Sequence, residues 1–553
     1  MQIIKSIVRH LVFILPLYAS SQSVYLQQGS KENILMERLE IKSGGDSILN
    51  FNFLKPFNRR WWVRALENIN IDSTDIRLSK VDKYNIFRSK LNNLEWVTGD
   101  KEIYKSKKDL WNTFYKTPAN LVEVDNPDFF LSVNPVLNLS VIGDSRSDEV
   151  GFVNSRGIVA RMLIAKRIGL YTYLTENQER APVFVQERIN QFRAVPGAGF
   201  YKPFKTTGVD YFDGRGYITF NAAKFLDVQF GYDKVFLGSG YRSLYLSDYA
   251  NSHLFLNLNL RVWKLNYVSK TVQLTAQYKR GSTDSLFPKK YATIHHISYS
   301  GPKWLTVGIF EGVVWDRLND FEFAYLNPII FLRPMEQNLG SGDNAFVGFD
   351  IKTTLFKRLQ LYTQVMFDEF KLSEIKKNDG WWANKWAWQM GAKYIDAFGI
   401  NNLDLQAEMN LVRPFTYAHN DTIANYTHYN QPMAHPLMSN IQEFVAIARY
   451  QPWPKWYAQV RMNFWKSGTD TAGVNFGNNI FRDTDTRPMD YGFNFGSAKS
   501  QKWMNTNFWL AYELMENFFI EGNLYFRKGS NTDMNTIASF GIRWNMQRRE
   551  YDY

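Results

Sequence analysis

Between Trp315 and Asn344 the chain gathers Asp316, Arg317, Tyr325, Asn327, Arg333, Glu336, Asp343 and Asn344. An aromatic face covers the C–H surface of a sugar ring, and planar carboxylate, amide and guanidinium groups serve its hydroxyls. A loop also uses such residues to hold itself together, pairing each Arg with a carboxylate, and that structural role is favoured for most of them. Arg242, in the glycine-rich stretch Phe236–Asp248, is the best single candidate for an anionic sugar, while Gly238 and Gly240 read as the means of a tight loop. Trp381 and Trp382, followed by Trp386 and Trp388, can stack sugars or anchor a strand end at a membrane interface; anchoring is favoured.

Other chemistries find little support. His419, His428 and His435 share one loop, but their spacing matches no ligand motif, and no metal site is expected. Asp483, Asp485 and Asp490 lack the glycine and bidentate Glu of a calcium loop. The sequence contains no nucleophile elbow, metalloprotease motif or phosphate loop. A non-enzymatic protein without catalytic residues or cofactors is expected.

The elements that carry these residues show in a period of two. Along Leu403–Leu411 every odd-numbered residue is apolar and every even one polar, and Ala458–Phe464 and Ile520–Phe526 repeat the pattern. Side chains on a strand alternate faces, so each segment has an apolar side for lipid and a polar side for a wet lumen. About eighteen such strands fit between Leu131 and Met546, which implies an all-β transmembrane barrel of antiparallel strands. One of them is expected at Val272–Lys279. Short connections such as Lys166–Gly169 and Phe356–Arg358 alternate with long ones such as Asp233–Ser252, Trp315–Asn344 and Arg413–Asn440. Short turns are periplasmic and long loops outward in bacterial outer-membrane barrels, so both chain ends are expected in the periplasm.

Before the barrel the alternation is missing. Residues 1–21 read as a signal peptide, with Lys5 and Arg9 ahead of an apolar run too short to span a bilayer. Residues 22–128 read as a small, mostly helical periplasmic or plug domain, and 129–553 as the barrel. Within the first, Asn58 is expected to cap one helix, Ser73 or Asp75 a second, and Lys107–Tyr115 to form a third. There is no cysteine, which removes disulfides and thiolate chemistry together. Losing Lys5 and Arg9 would lower the net charge from +12 to +10. For an exported barrel that balance suits acidic polysaccharide or the phosphates of outer-leaflet lipid, and nucleic acid is not an expected partner.

Phe236–Asp248 resembles the glycine-arginine-serine loop of Wzi-like capsule assembly proteins. Tyr325-Leu326-Asn327-Pro328 with Arg333, Glu336, Asp343-Asn344 and Asp350 matches a second stretch of that family, and Leu361-Tyr362 through Asp368-Glu369-Phe370 a third. Glu37–Glu40 and Lys55–Phe57 resemble the helical domain of Bacteroidetes members, among them the gliding-motility protein RemB. The resemblance implies an eighteen-stranded outer-membrane barrel, closed on the periplasmic side by helices, that binds, retains or helps assemble surface polysaccharide. Two alternatives stay open. One is a component of gliding or secretion machinery with periplasmic or cell-surface protein partners, and the other is a diffusive porin.

Overall fold

The computed structural model describes residues 22–69, 76–107, 110–111, 113–279, 286–317, 320–329, 331–340, 342–471 and 473–553. The expected leader and the expected caps Ser73 and Asp75 lie outside them.

Alternation builds the wall. Along Trp456–Thr469, Met462 and Phe464 point outward and are 37% and 40% exposed, whereas Gln459, Arg461 and Asn463 are buried on the lumen side. Eighteen strands close into one antiparallel barrel, most of them with this alternation. They are β1 (Phe129–Asp144), β2 (Ser147–Ile164), β3 (Ile168–Arg180), β4 (Gly208–Ala223), β5 (Leu226–Asp233) and β6 (His253–Val262). Next come β7 (Leu265–Thr275), β8 (Lys289–Tyr299), β9 (Leu305–Trp315), β10 (Asn344–Leu355), β11 (Leu359–Glu369) and β12 (Lys385–Tyr394). The last are β13 (Leu403–Val412), β14 (Ile441–Tyr450), β15 (Trp456–Thr469), β16 (Lys499–Met515), β17 (Phe518–Gly529) and β18 (Asn535–Trp544). The ring closes where β18 pairs with the upper part of β1, from Trp544↔Leu137 to Ile537↔Asp144. A hairpin of Phe114–Thr117 and Asn120–Asp125 covers the remaining lower edge of β1, from Val122↔Val133 to Asp125↔Phe130. An edge left bare there would present unpaired backbone groups. Among the described residues of the expected helix Lys107–Tyr115, Leu110 bridges Phe114, and Phe114 and Tyr115 belong to this hairpin.

Short turns gather at one rim, the turn side, and long loops at the other, with 144–147 and 530–534 as short exceptions on the loop side. The strand expected at Val272–Lys279 lies instead at Leu265–Thr275. Its outward positions Ser269, Thr271 and Gln273 are polar, so its alternation is hidden.

The turn-side end is occupied by helices α1 (Lys31–Ser43), α2 (Arg59–Asn68) and α3 (Lys80–Leu91). Asn58 caps α2 through the amides of Arg60 and Trp61, and Ser79 caps α3 in a box with Asp82. Leu35, Leu39, Trp62, Leu66 and Ile86 form the small core between them. Polar contacts tie this domain around the rim. Lys31 meets Glu513 and Glu516 at 2.5 and 2.6 Å, Lys352 meets Glu40 at 2.6 Å, and the Asn50 amide donates to Lys303 O at 2.7 Å. Arg38 is the central tie, pairing with Asp82 of α3 at 2.7 Å and with Asp396 and Asp404 of the barrel. Burial raises the cost of a charged Asp82, but Arg38 and Lys42 outweigh it and hold this carboxyl well below the usual range.

Removing one member of a buried ion pair strands the others, at a cost of about 3–5 kcal/mol. The Arg38→Ala variant is therefore expected to loosen the helical domain while the wall stays formed. Limited proteolysis checks this through faster cutting within 22–107 over an intact barrel fragment.

Candidate functional site

The lumen is filled from the loop side. Residues 234–250 and 413–440 fold inward, and Tyr245, Tyr417, Tyr426, Met433 and Leu437 pack against wall residues such as Phe310, Phe346 and Met366. Tyr245 stacks on Phe310 with ring centroids 4.1 Å apart. Gly240 permits a close approach of this segment to the wall, since a Cβ there would lie 2.5 Å from Glu408 Oε2. Glu408 in turn accepts the amides of Tyr241 and Arg242 at 2.6 and 3.0 Å.

Arg242 is thereby carried into the interior. Its Nε and Nη2 donate to Glu443 at 3.2 and 2.8 Å, and its Nη1 donates to Asp552 at 2.8 Å. Asp552 belongs to residues 545–553, which leave β18 at the turn side and run back up the lumen. Along that path Arg548 lies over Trp509, Arg549 pairs with Glu179, Glu550 with Arg461, and Tyr553 O accepts from Arg527 near the loop-side end of β17. Burial alone would disfavour both charges. The neighbouring carboxylates nonetheless hold Arg242 above its ordinary pKa, and the Arg242 and Arg461 guanidiniums hold Asp552 below its own. Arg242 is 6% exposed and serves as the joint of three segments. Alongside the joint, between α1, residues 195–198, 234–249 and 545–553 and the wall, remains a cavity of about 540 Å³, which Arg242 and Tyr553 also line.

The Trp315–Asn344 group is organised differently. Arg317 holds Asp343 through two bonds of 2.6 and 2.7 Å, the Tyr325 hydroxyl donates to Asp343 at 2.6 Å, and Arg333 pairs with Glu336 at 2.7 Å. Asn327 caps a local turn through the Ile329 amide. Asp316 O accepts from Arg317 at 2.9 Å. These contacts lie within the loop, which packs on the outer wall of β8 to β10 rather than over the mouth.

Trp381 and Trp382 stand on a shelf of the loop side. The segments around Asp379–Trp382 and Asp490–Phe493 pair through backbone bonds: Trp382 N to Asp490 O, Gly492 N to Asp379 O and Phe493 N to Gly380 O, all 2.9–3.0 Å. Gly380 has φ +76°, and a Cβ there would meet Phe493 N at 2.8 Å. The Arg487 guanidinium lies 3.9 Å from the Trp382 ring centroid and pairs with Asp485 and Asp490 at 2.9 and 2.8 Å. Both carboxylates are more than half exposed, as is usual for a surface cluster, and Tyr491 beside them is 45% exposed. Half-buried indoles, a planar cation and open carboxylates thus share one surface. Sequence spacing missed Arg487 and Tyr491, because only the pairing of two distant loops brings them to the Trp pair. The three histidines do not converge: His435 bonds Glu443, His428 spans Thr275 N and Ser252 O, and His419 accepts from Asp421 N.

No family model matches the chain, and no curated protein matches it. Solved structures do. Wzi of Escherichia coli, an outer membrane protein involved in Group 1 capsule assembly and described as a carbohydrate-binding β-barrel, superposes with a TM-score of 0.57 at 13% identity, over 96% of this chain and 100% of that one. OprD of Pseudomonas aeruginosa gives 0.42 at 10% identity, over 75% and 94%. OpdK of the same organism, solved with vanillate, gives 0.42 at 8%, over 75% and 98%. At these identities the likeness is one of fold: a closed barrel of eighteen antiparallel strands with an N-terminal helical segment.

Two outcomes follow from the interior joint. Arg242→Ala is expected to lower stability by about 3–5 kcal/mol, because Glu443 and Asp552 are left buried without their cation; Arg242→Lys should recover part of this in thermal melts. Since the Asp552 pKa is depressed in the fold, its contribution is present above the free-carboxyl pKa of about 4 and is lost as pH falls through the lower folded value. Asp552→Asn should therefore melt below the parent at pH 7, and the gap should close in acid.

Proposed function

We propose that the protein is a non-enzymatic outer-membrane barrel that binds surface polysaccharide on its loop-side rim and retains or helps assemble it at the cell surface. The observation that carries this reading is the Trp381–Trp382–Arg487 shelf, set on a barrel whose lumen is occupied by its own chain. The half-buried indoles, with the open Asp485 and Asp490 carboxylates that Arg487 holds beside them, suit sugar rings and their hydroxyls. The full-length superposition on Wzi, described as carbohydrate-binding, supports the same reading. With short turns facing the periplasm and long loops outward, the shelf meets the cell exterior. Among the candidate contacts, Trp381 and Trp382 are carried forward, joined by Arg487, Asp485, Asp490 and Tyr491. Arg242, Asp316, Arg317, Tyr325, Asn327, Arg333 and Glu336 are assigned to holding the fold. Two segments folded into the lumen, together with residues 545–553 and the helical domain, weigh against a diffusive porin, which needs a continuous aqueous path.

Calorimetric titration of the purified protein with its own organism's surface polysaccharide is expected to give saturable binding. Trp381→Ala and Arg487→Ala should each weaken it about tenfold, the scale of one stacking or cation–π contact, at unchanged melting temperature. In a planar bilayer the intact protein should pass no steady ionic current. Absence of heat together with stable co-purification of protein partners would move the assignment to the machinery role, and steady conductance to the porin.

A further inference from the structure

The lipid-facing belt is interrupted on one side of the barrel. Near the turn-side rim the outward positions of β7, β8 and β9 are apolar and exposed: Leu265 at 37%, Ile297 at 41% and Ile309 at 47%. Two-residue steps toward the loop side keep to the same face. Those steps lead to Ser269 and Thr271 on β7, His295 and Thr293 on β8, and Glu311 on β9. The pairing Ser269↔His295↔Glu311 sets them side by side. His295 Nδ1 lies 2.9 Å from Glu311 Oε1, and the Thr271 and Thr293 hydroxyls lie 3.0 Å apart. Polar and ionisable groups facing hydrocarbon are costly.

Residues 320–329 and 331–340 cover this window as a strap. Its helix α5 (Leu332–Asn338; the intervening helix α4 spans Val183–Phe192) gives the Leu332 amide to Glu311 Oε2 at 3.0 Å. Pro328 O accepts the Tyr267 hydroxyl, and Tyr325 and Leu332 pack on Tyr291, Val313 and Trp315 of the wall. Under the strap Thr293 and His295 are buried at 0% and 4% exposure. Depth follows from register, because Tyr267 is paired with Ile297, itself an exposed residue of the belt. The strap tip at Pro328 therefore reaches down to the belt instead of rising above the rim. Away from the wall it exposes large apolar side chains, Phe323 at 76%, Ile329 at 91% and Phe331 at 71%, while the exposed polar residues Arg333, Gln337 and Asn338 belong to α5 and Asn327 stands beside the tip. Three such side chains held in water would be a standing penalty.

We propose that this strap is a membrane-embedded element. Phe323, Ile329 and Phe331 lie among the acyl chains of the outward leaflet, and the strap replaces the missing stretch of the belt while sealing the His295–Glu311 window from lipid. The partner is hydrocarbon, argued from continuity with the apolar wall below it.

Because the chain has no cysteine, single nitroxide labels can be placed without background. Full-length protein carrying Ile329→Cys or Phe331→Cys is reconstituted in phosphatidylethanolamine–phosphatidylcholine vesicles, with Ile309→Cys as the belt reference and Asp485→Cys as the aqueous reference. Both strap labels are expected to be relaxed by oxygen in excess of a water-soluble nickel chelate, matching the Ile309 label. Relaxation by nickel at the level of the Asp485 label would overturn the proposal and place the strap in water. Labels at two highly exposed positions guard against one failing to assemble.

Discussion

A wall of eighteen strands encloses more space than its own side chains can fill, and its lumen face is polar. The joint at Arg242 resolves both demands. The wall supplies Glu443 and Glu408, the inward loop supplies Arg242 and the amides around Gly240, and residues 545–553 supply Asp552. None of these charges could sit in the interior alone, because the desolvation of each is offset only by the others. Filling the lumen is thus a consequence of satisfying its wall. The apolar cluster around Tyr245 and Phe310 fills one side of the loop-side half, while the remaining cavity runs from the helices toward residues 195–198.

The same rule acts on the outer surface with lipid in place of water. Where the outward face carries Ser269, Thr293, His295 and Glu311, the chain returns a loop to cover them. The contacts of Arg317, Tyr325 and Asp343 are those of a strap braced against itself. Residue types that suit sugar recognition therefore serve, in this loop, to fix a cover, since planar charged groups bind each other as readily as they bind hydroxyls.

This explains what could be read from the chain and what could not. The alternation along Leu403–Leu411 falls on β13 (Leu403–Val412), because one face meets lipid and the other a polar interior. β7 is displaced in the reading because its outward face meets the strap, so lipid never selects its residues. Helix α1 escapes for a related reason. Glu32, Arg38, Glu40 and Lys42 are buried beside Leu35 and Leu39, and a search for an apolar stripe counts such charges as exposed. Their partners, Asp82, Asp396, Asp404 and Lys352, lie far along the chain. Trp381 and Trp382 were visible as a pair, but Arg487 joined them only through the pairing of two loops. Residues 545–553, rich in Arg, Glu, Asp and Tyr, look like a solvated tail until the carboxylates and guanidiniums of the lumen are located.

Under the proposed reading, a surface polymer is met at the loop-side rim, because the inward loops and residues 545–553 narrow the lumen to the cavity beside the joint. A polymer met there would make lateral, shallow contacts, each of them weak. Affinity then depends on repetition: many sugar units meeting the shelf, and many barrels in one membrane meeting one chain, each raising the effective concentration for the next contact. Rigidity of the platform matters more than depth of a pocket under those terms, because a rim already ordered has little entropy to lose on binding. The interior ion network, the helical domain and the strap share that effect. They hold the loop bases in one arrangement, so that the shelf at Trp381 and Trp382 is presented preformed.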